Sequence, residues 1–256
     1  MARVETDPVR QQFDQALGAR SMNAYWRRVS ALQRLGTRDV FEIASTSLES
    51  RDARRRRLGA NVLSELGYQR SSPPFRSQSA QLLLTALKRE KNPSVLAAIV
   101  TALGRLRLRL AIPSLVPLAK HRSPEVRRAL AAELPWCTWD SGEEKPGRRV
   151  TATLINLACD PIAEVRDWAC FGLASSGADS PEVRDSLWNR VRDRHYDTRI
   201  EALRGLARRR DPRVRQALHD TLRVIGSSRL GTWVMDDLVE YAKSVRDRHL
   251  ARVLES

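Results

Sequence analysis

One phrase returns along the 256-residue chain every 30 to 40 residues. Its fullest form is Pro161-Ile-Ala-Glu-Val-Arg-Asp-Trp-Ala-Cys-Phe-Gly-Leu173: a Val-Arg pair, a small residue three positions after the Arg, then Leu four further on. It recurs as Val126-Arg127…Leu130…Leu134 and as Thr198-Arg199…Ala202…Leu206. Val95-Leu96…Ile99…Leu103 keeps the apolar positions and loses the Arg, while Arg56…Gly59…Leu63 keeps the Arg. The anchors at 56, 96, 127, 166 and 199 are separated by 40, 31, 39 and 33 residues. The apolar spacing is that of one helix face, and a helical face that recurs at this interval is buried by stacking copies on one another. The chain is therefore expected to be all-α, a solenoid of about six to seven antiparallel helix pairs.

Punctuation divides the chain accordingly. Asp7-Pro8 reads as a cap and first helical residue, Gly36 closes a second helix, and residues 1–36 are expected to form an N-terminal capping pair. Repeats follow over 37–225, interrupted at 135–147 by an insertion loop containing Trp136, Trp139, Asp140, Glu143 and Glu144. An insertion in a stacked array maps to a loop on one face. Residues 226–256 are expected to supply C-terminal capping helices.

The net charge of +15 invites a polyanionic partner. Its distribution is uneven, because the first 149 residues carry 27 basic and 14 acidic groups and the rest 18 and 16. Arginine outnumbers lysine 40 to 5, so the excess also fits base composition with Arg filling solvated faces. The three cysteines have no CxxC spacing, and Cys159 and Cys170 fall in helical patterns where a small core residue is expected. A reducing, cytoplasmic compartment follows. The N-terminus has no apolar signal core, and the longest apolar run, Val95–Val100, is too short to span a membrane.

Phrases of the form Leu-x-x-Leu, a hinge, then Asp/Pro-x-x-Val-Arg-x-x-Ala-x-x-x-Leu resemble HEAT repeats, the short kind shared with phycobilisome-lyase-like proteins. The resemblance covers residues 36–225 and is strongest over 111–210. It implies a right-handed array in which second helices line a concave surface and the Arg of Val-Arg ties one repeat to the next. Arg127, Arg166 and Arg199 are the expected ladder. The motif carries no catalytic residue.

With each anchor at zero, positions −1, +3 and +7 of the second helices form the core face: Val126, Leu130 and Leu134; Val165, Ala169 and Leu173; Ala202 and Leu206. Positions +1, +5 and +9, with +2 less central, point toward the concave side. That stripe carries Arg105, Arg128, Trp136, Asp167, Trp168, Phe171, Glu201, Arg204 and Arg208, the expected partner-binding residues. Exposed aromatics rimmed by charge mark binding surfaces, whereas packing between neighbouring second helices would also place Trp168 and Phe171 there. Asp167 and Glu201 are expected to pair with Arg204, Arg208 or Arg128.

His121, His195, His219 and His249 lack ligand-like spacing, and no phosphate loop or nucleophile motif occurs, so neither metal nor cofactor is implied. The expected function is a non-enzymatic binding or adaptor protein that grips a partner protein, an acidic one included, on its concave face. Nucleic-acid binding is the alternative, with phosphates on Arg and a base on the aromatics. The enzymatic alternative is a HEAT-like alkylpurine DNA glycosylase, on the basis of Trp136…Trp139-Asp140. Nothing marks a bilin pocket.

Overall fold

The computed structural model describes residues 7–141, 147–225 and 230–255, which divide into two compact units, 1–141 and 142–256. All regular structure among the described residues is helical, as the sequence predicts.

The first unit contains α1 (Pro8–Leu17), α2 (Met22–Leu35), α3 (Arg38–Ser47), α4 (Ala53–Leu63), α5 (Arg76–Arg89), α6 (Pro93–Arg105), the short α7 (Ile112–Leu115) and α8 (Pro124–Glu133). The helices start where their caps dictate. Asp7 accepts the Val9 N–H at 2.9 Å, Asp52 that of Arg54 at 2.8 Å, and Asn92 those of Ser94 and Val95 at 3.0 and 3.2 Å. Gly36 ends α2 in the left-handed region at φ 56°, where a side chain would be strained. The stretch 109–120 does not form one continuous helix, because Pro117 removes a backbone donor. It becomes two 3-10 turns, Arg109–Ala111 and Val116–Lys120, flanking α7.

Second helices pack in chain order, α2 on α4, α4 on α6 and α6 on α8, with α1, α3 and α5 against α2, α4 and α6 and the 3-10 turn Val116–Lys120 against α8. The approach of α3 to α4 is close enough to require glycine. A Cβ at Gly59 would lie 2.6 Å from the Ala44 carbonyl oxygen and 3.0 Å from Ser47 Cβ. The expected loop at 135–147 begins otherwise: Leu134–Ser141 is a 3-10 helix packed on α6, with Leu134 and Cys137 buried. Glu143 and Glu144 lie outside the described residues, as do the side chains of Trp139 and Asp140.

The second unit contains α9 (Arg148–Leu157), α10 (Ala163–Ser175), α11 (Pro181–Trp188), α12 (Tyr196–Arg208), α13 (Val214–Ile225), α14 (Thr232–Ser244) and α15 (Arg248–Glu255). Here α10, α12 and α14 form the second-helix layer, α9 and α11 pack behind it, and α15 closes onto α14 through buried Leu250 and Leu254. The predicted core positions Val126, Leu130, Leu134, Val165, Ala169, Leu173, Ala202 and Leu206 are all fully buried. Cys170 is buried as expected, but Cys159 is exposed, because α9 ends at Leu157 and the chain turns before Cys159 can reach the core.

Candidate functional site

The anchor arginines sit where each second helix begins. Arg166 donates from Nε and Nη2 to both carboxylate oxygens of Asp193, each at 2.8 Å, and from Nη1 to the carbonyls of Asp160 and Pro161. Asp193 precedes α12, so this fork joins one helix pair to the next. Arg56 repeats the arrangement: Nε and Nη2 bind Glu90 at 2.7 and 3.1 Å, and Nη1 binds the carbonyls of Ser50 and Arg51. Arg127 makes the same two carbonyl contacts, to His121 and Arg122. Arg199 departs from the expected ladder. Its Nε is buried without a hydrogen-bond partner, and its guanidinium lies 5.9 Å from the Tyr196 ring centroid. Burial would raise the Asp193 carboxyl, but bonds from Arg166, the His195 N–H and Arg190 hold it down to about 2.

In the first unit, the stripe residues fall into separate groups. Arg105 on α6 pairs with Glu65 at 2.6 Å and is half exposed. Arg128 on α8 is exposed and makes no hydrogen bond to the described residues. Trp136 is half-buried in the 3-10 turn after α8. Nearby Glu133, absent from the predicted set, packs its Cβ over Gly104, and burial with the Glu65 charge outweighs Arg105 and Arg128 to push its carboxyl up to about 7. Only its place at the end of α8, three residues after buried Leu130, could have signalled this in the sequence.

In the second unit, the predicted residues come together. The Trp168 and Phe171 rings on α10 meet edge-to-face, 5.7 Å between centroids at 77°. Trp168 is 36% exposed and Phe171 half-buried. Behind them, Arg204 lies 5.4 Å from the Phe171 centroid and donates to Glu201 at 2.9 Å, Ser175 at 2.8 Å and Asp237 at 3.1 Å. Arg208 reaches the same Asp237 at 2.9 Å.

Two stripe positions therefore differ from the expectation of solvent exposure: Glu201 and Arg204 are buried. The reason is that α12 is flanked on both sides, and α10 contributes Phe171 and Ser175 and α14 contributes Asp237 to cover its middle turn. Burial lifts the Glu201 carboxyl to about 7 against the pull of Arg204. Asp167 does not find the arginine expected for it. It accepts no hydrogen bond from the described residues, and burial together with Asp197 and Glu164, opposed by His195, raises it to about 6.

A model of HEAT repeats matches residues 80–138 and 148–228, more than half of the chain. The chain belongs to the HEAT-repeat family. Protein YibA of Escherichia coli K12 is 36% identical over 103 residues, which are 40% of this chain and 34% of YibA, so the match spans about a third of that relative's length. The crystal structure of YibA superposes over 100% of this chain and 92% of its own with a TM-score of 0.68 at 22% identity. The complex of CpcE and CpcF of phycocyanin lyase from Nostoc sp. PCC7120 does so over 99% and 98% with a TM-score of 0.51 at 15% identity. At these identities the structural likeness is one of fold.

The HEAT repeats of the second unit carry a second set of links that the predicted set omits. Arg184 on α11 reaches Asp211 at 3.4 Å, and Arg215 on α13 reaches Asp247 at 2.8 Å. The signal was present: Val183-Arg184 and Val214-Arg215 repeat the Val-Arg pair on the other helix of the repeat.

Proposed function

We propose that this HEAT-repeat chain is a binding protein with no catalytic role, which holds a segment of a partner protein against the α10–α12 surface. The observation that carries this reading is Trp168, an exposed indole whose ring is fixed edge-on by Phe171, itself backed by Arg204 in a network anchored on α12 and α14. An aromatic held rigidly loses little conformational entropy on contact, which is the property of an anchor residue in an interface. Repeat stacks suit such contacts because their second helices form one extended layer. No helix among the described residues is long and apolar enough to cross a membrane.

Arg204 and Arg208, expected to receive an acidic partner, are already engaged by Glu201 and Asp237. An acidic partner would have to compete with these internal carboxylates for both guanidiniums.

The test is affinity capture on the immobilised chain and on its Trp168→Ala variant, with and without nuclease. A protein retained by the wild type, lost from the variant and indifferent to nuclease supports the reading. Retention that nuclease abolishes and Trp168→Ala leaves intact would assign the chain to nucleic acid instead.

A further inference from the structure

Around Trp168 the charge is opposite in sign to that of the chain. Glu164 lies one helical turn before Trp168 on α10, and Asp167 is its immediate neighbour. Asp197, in the first turn of α12, acts electrostatically on Asp167, and Asp167 in turn on Glu201. Glu164, Asp167 and Asp197 thus bring three carboxyls to this surface, while Glu201 is buried and Asp237 half-buried, both paired with Arg204 or Arg208. Both guanidiniums are consumed internally, Arg204 by Glu201 and Asp237 and Arg208 by Asp237. His195 stands 4.0 Å from Asp197 and hydrogen-bonds Thr198 through Nδ1 at 3.1 Å. What remains open to an incoming group is an indole face with Glu164, Asp167 and Asp197 beside it.

Such a surface is costly on its own. Asp167 is half-buried without a hydrogen-bond partner among the described residues and is surrounded by like charge. A planar cation would relieve this: a guanidinium can stack on the indole while its N–H fork donates to a carboxylate at the ring's edge. An anion would meet three carboxylates with His195 set against them, and a purely apolar segment would bury Asp167 further without pairing it.

We propose that the α10–α12 surface recognises an arginine- or lysine-bearing segment of a partner protein, its cationic head on Trp168 and hydrogen-bonded to Asp167, with Glu164 and Asp197 as the outer charges. This rests on the reading that the surface is a protein-binding site and adds the partner's charge. It also gives a net-basic chain a means of selecting basic partners, since a general electrostatic attraction would select acidic ones.

The probe is a fluorescently labelled nine-residue arginine peptide, followed by anisotropy against the intact chain. The overall charge of +15 repels it, so binding reports a local acidic surface. Its counter-probes are a nine-residue glutamate peptide and a single-stranded oligonucleotide. Trp168→Ala and Asp167→Asn are each expected to weaken the arginine peptide by about tenfold, the scale of one charge-assisted hydrogen bond or desolvated cation–π contact. Asp197→Asn, at an exposed position, is expected to weaken it by about two- to threefold and to keep the test open if Asp167→Asn fails to fold.

Arginine-peptide binding that all three variants leave unchanged overturns the proposal. So does Trp168-dependent binding of the glutamate peptide or the oligonucleotide. If a partner captured through Trp168 is not displaced by the arginine peptide and binds Asp167→Asn normally, the cationic assignment fails while the protein-binding surface stands. Sedimentation that shows Trp168-dependent self-association, without arginine-peptide binding, would make a second copy the occupant and overturn it as well.

Discussion

Arg166 and Asp193 are joined by two parallel hydrogen bonds of 2.8 Å each, across 27 residues and the junction between successive helix pairs. The carboxylate is almost fully buried, and the guanidinium also holds the two carbonyls that lead into its own helix. Removing it leaves Asp193 with only Arg190 and the His195 N–H. Arg166→Ala is expected to destabilise by about 2–4 kcal/mol, because a buried charge loses its main partner. Denaturant titration followed by circular dichroism checks this, with Arg166→Lys recovering part of the loss, since it restores charge without the fork.

The same pair sets an acid limb. The folded-state carboxyl of Asp193, at about 2, lies below its unfolded value, so its stabilisation is present above about pH 4 and lost as pH falls toward 2. Stability profiles between pH 5 and 2 should be flatter in Arg166→Ala than in the wild type.

Glu133 has the opposite sign. Its carboxyl is raised to about 7, so the unfolded chain ionises first and stability falls as pH rises from about 4.5 to 7. Glu133→Gln should remove that decline and melt above the wild type at pH 8. Melting curves at pH 5 and pH 8 compare the two directly.

Gly59→Ala should cost about 1–3 kcal/mol, because the added methyl meets a backbone carbonyl at 2.6 Å and α3 must withdraw from α4. Equilibrium unfolding of the single variant measures it.

Arg204→Ala should act on folding and not only on affinity. Its loss leaves buried Glu201 without its arginine and Asp237 with Arg208 alone, and about 2–4 kcal/mol is expected. Trp168→Ala should cost least, about 1 kcal/mol, since the ring is partly exposed but packs edge-to-face on Phe171, with Phe171→Ala in between at about 1–3 kcal/mol. Melting curves for the three rank them.

The core was legible because it depends on one periodicity. Val165, Ala169 and Leu173 occupy the −1, +3 and +7 positions and are fully buried, and the family follows from the same phrase. The stripe opposite was legible only in part, because a helical wheel treats each helix as if it stood alone. Trp168 is exposed as the wheel predicts, but Arg204 is buried by Asp237, a residue 33 positions away that no local pattern links to it. Glu133 escaped for a similar reason: what isolates its carboxyl is the closeness of Gly104 on the neighbouring helix. Arg199 shows the converse, a residue that fits the phrase while its buried Nε finds no hydrogen-bond partner among the described residues.

Four arginine links between successive helix pairs point one way. Arg56 reaches forward to Glu90, Arg166 to Asp193, Arg184 to Asp211 and Arg215 to Asp247, and in each case the cation comes first in the chain. On the ribosome, every such arginine is therefore made about thirty residues before its carboxylate. At each of these four junctions the nascent chain carries a guanidinium whose carboxylate arrives with the next helix pair, so that link can form only after the pair has been made.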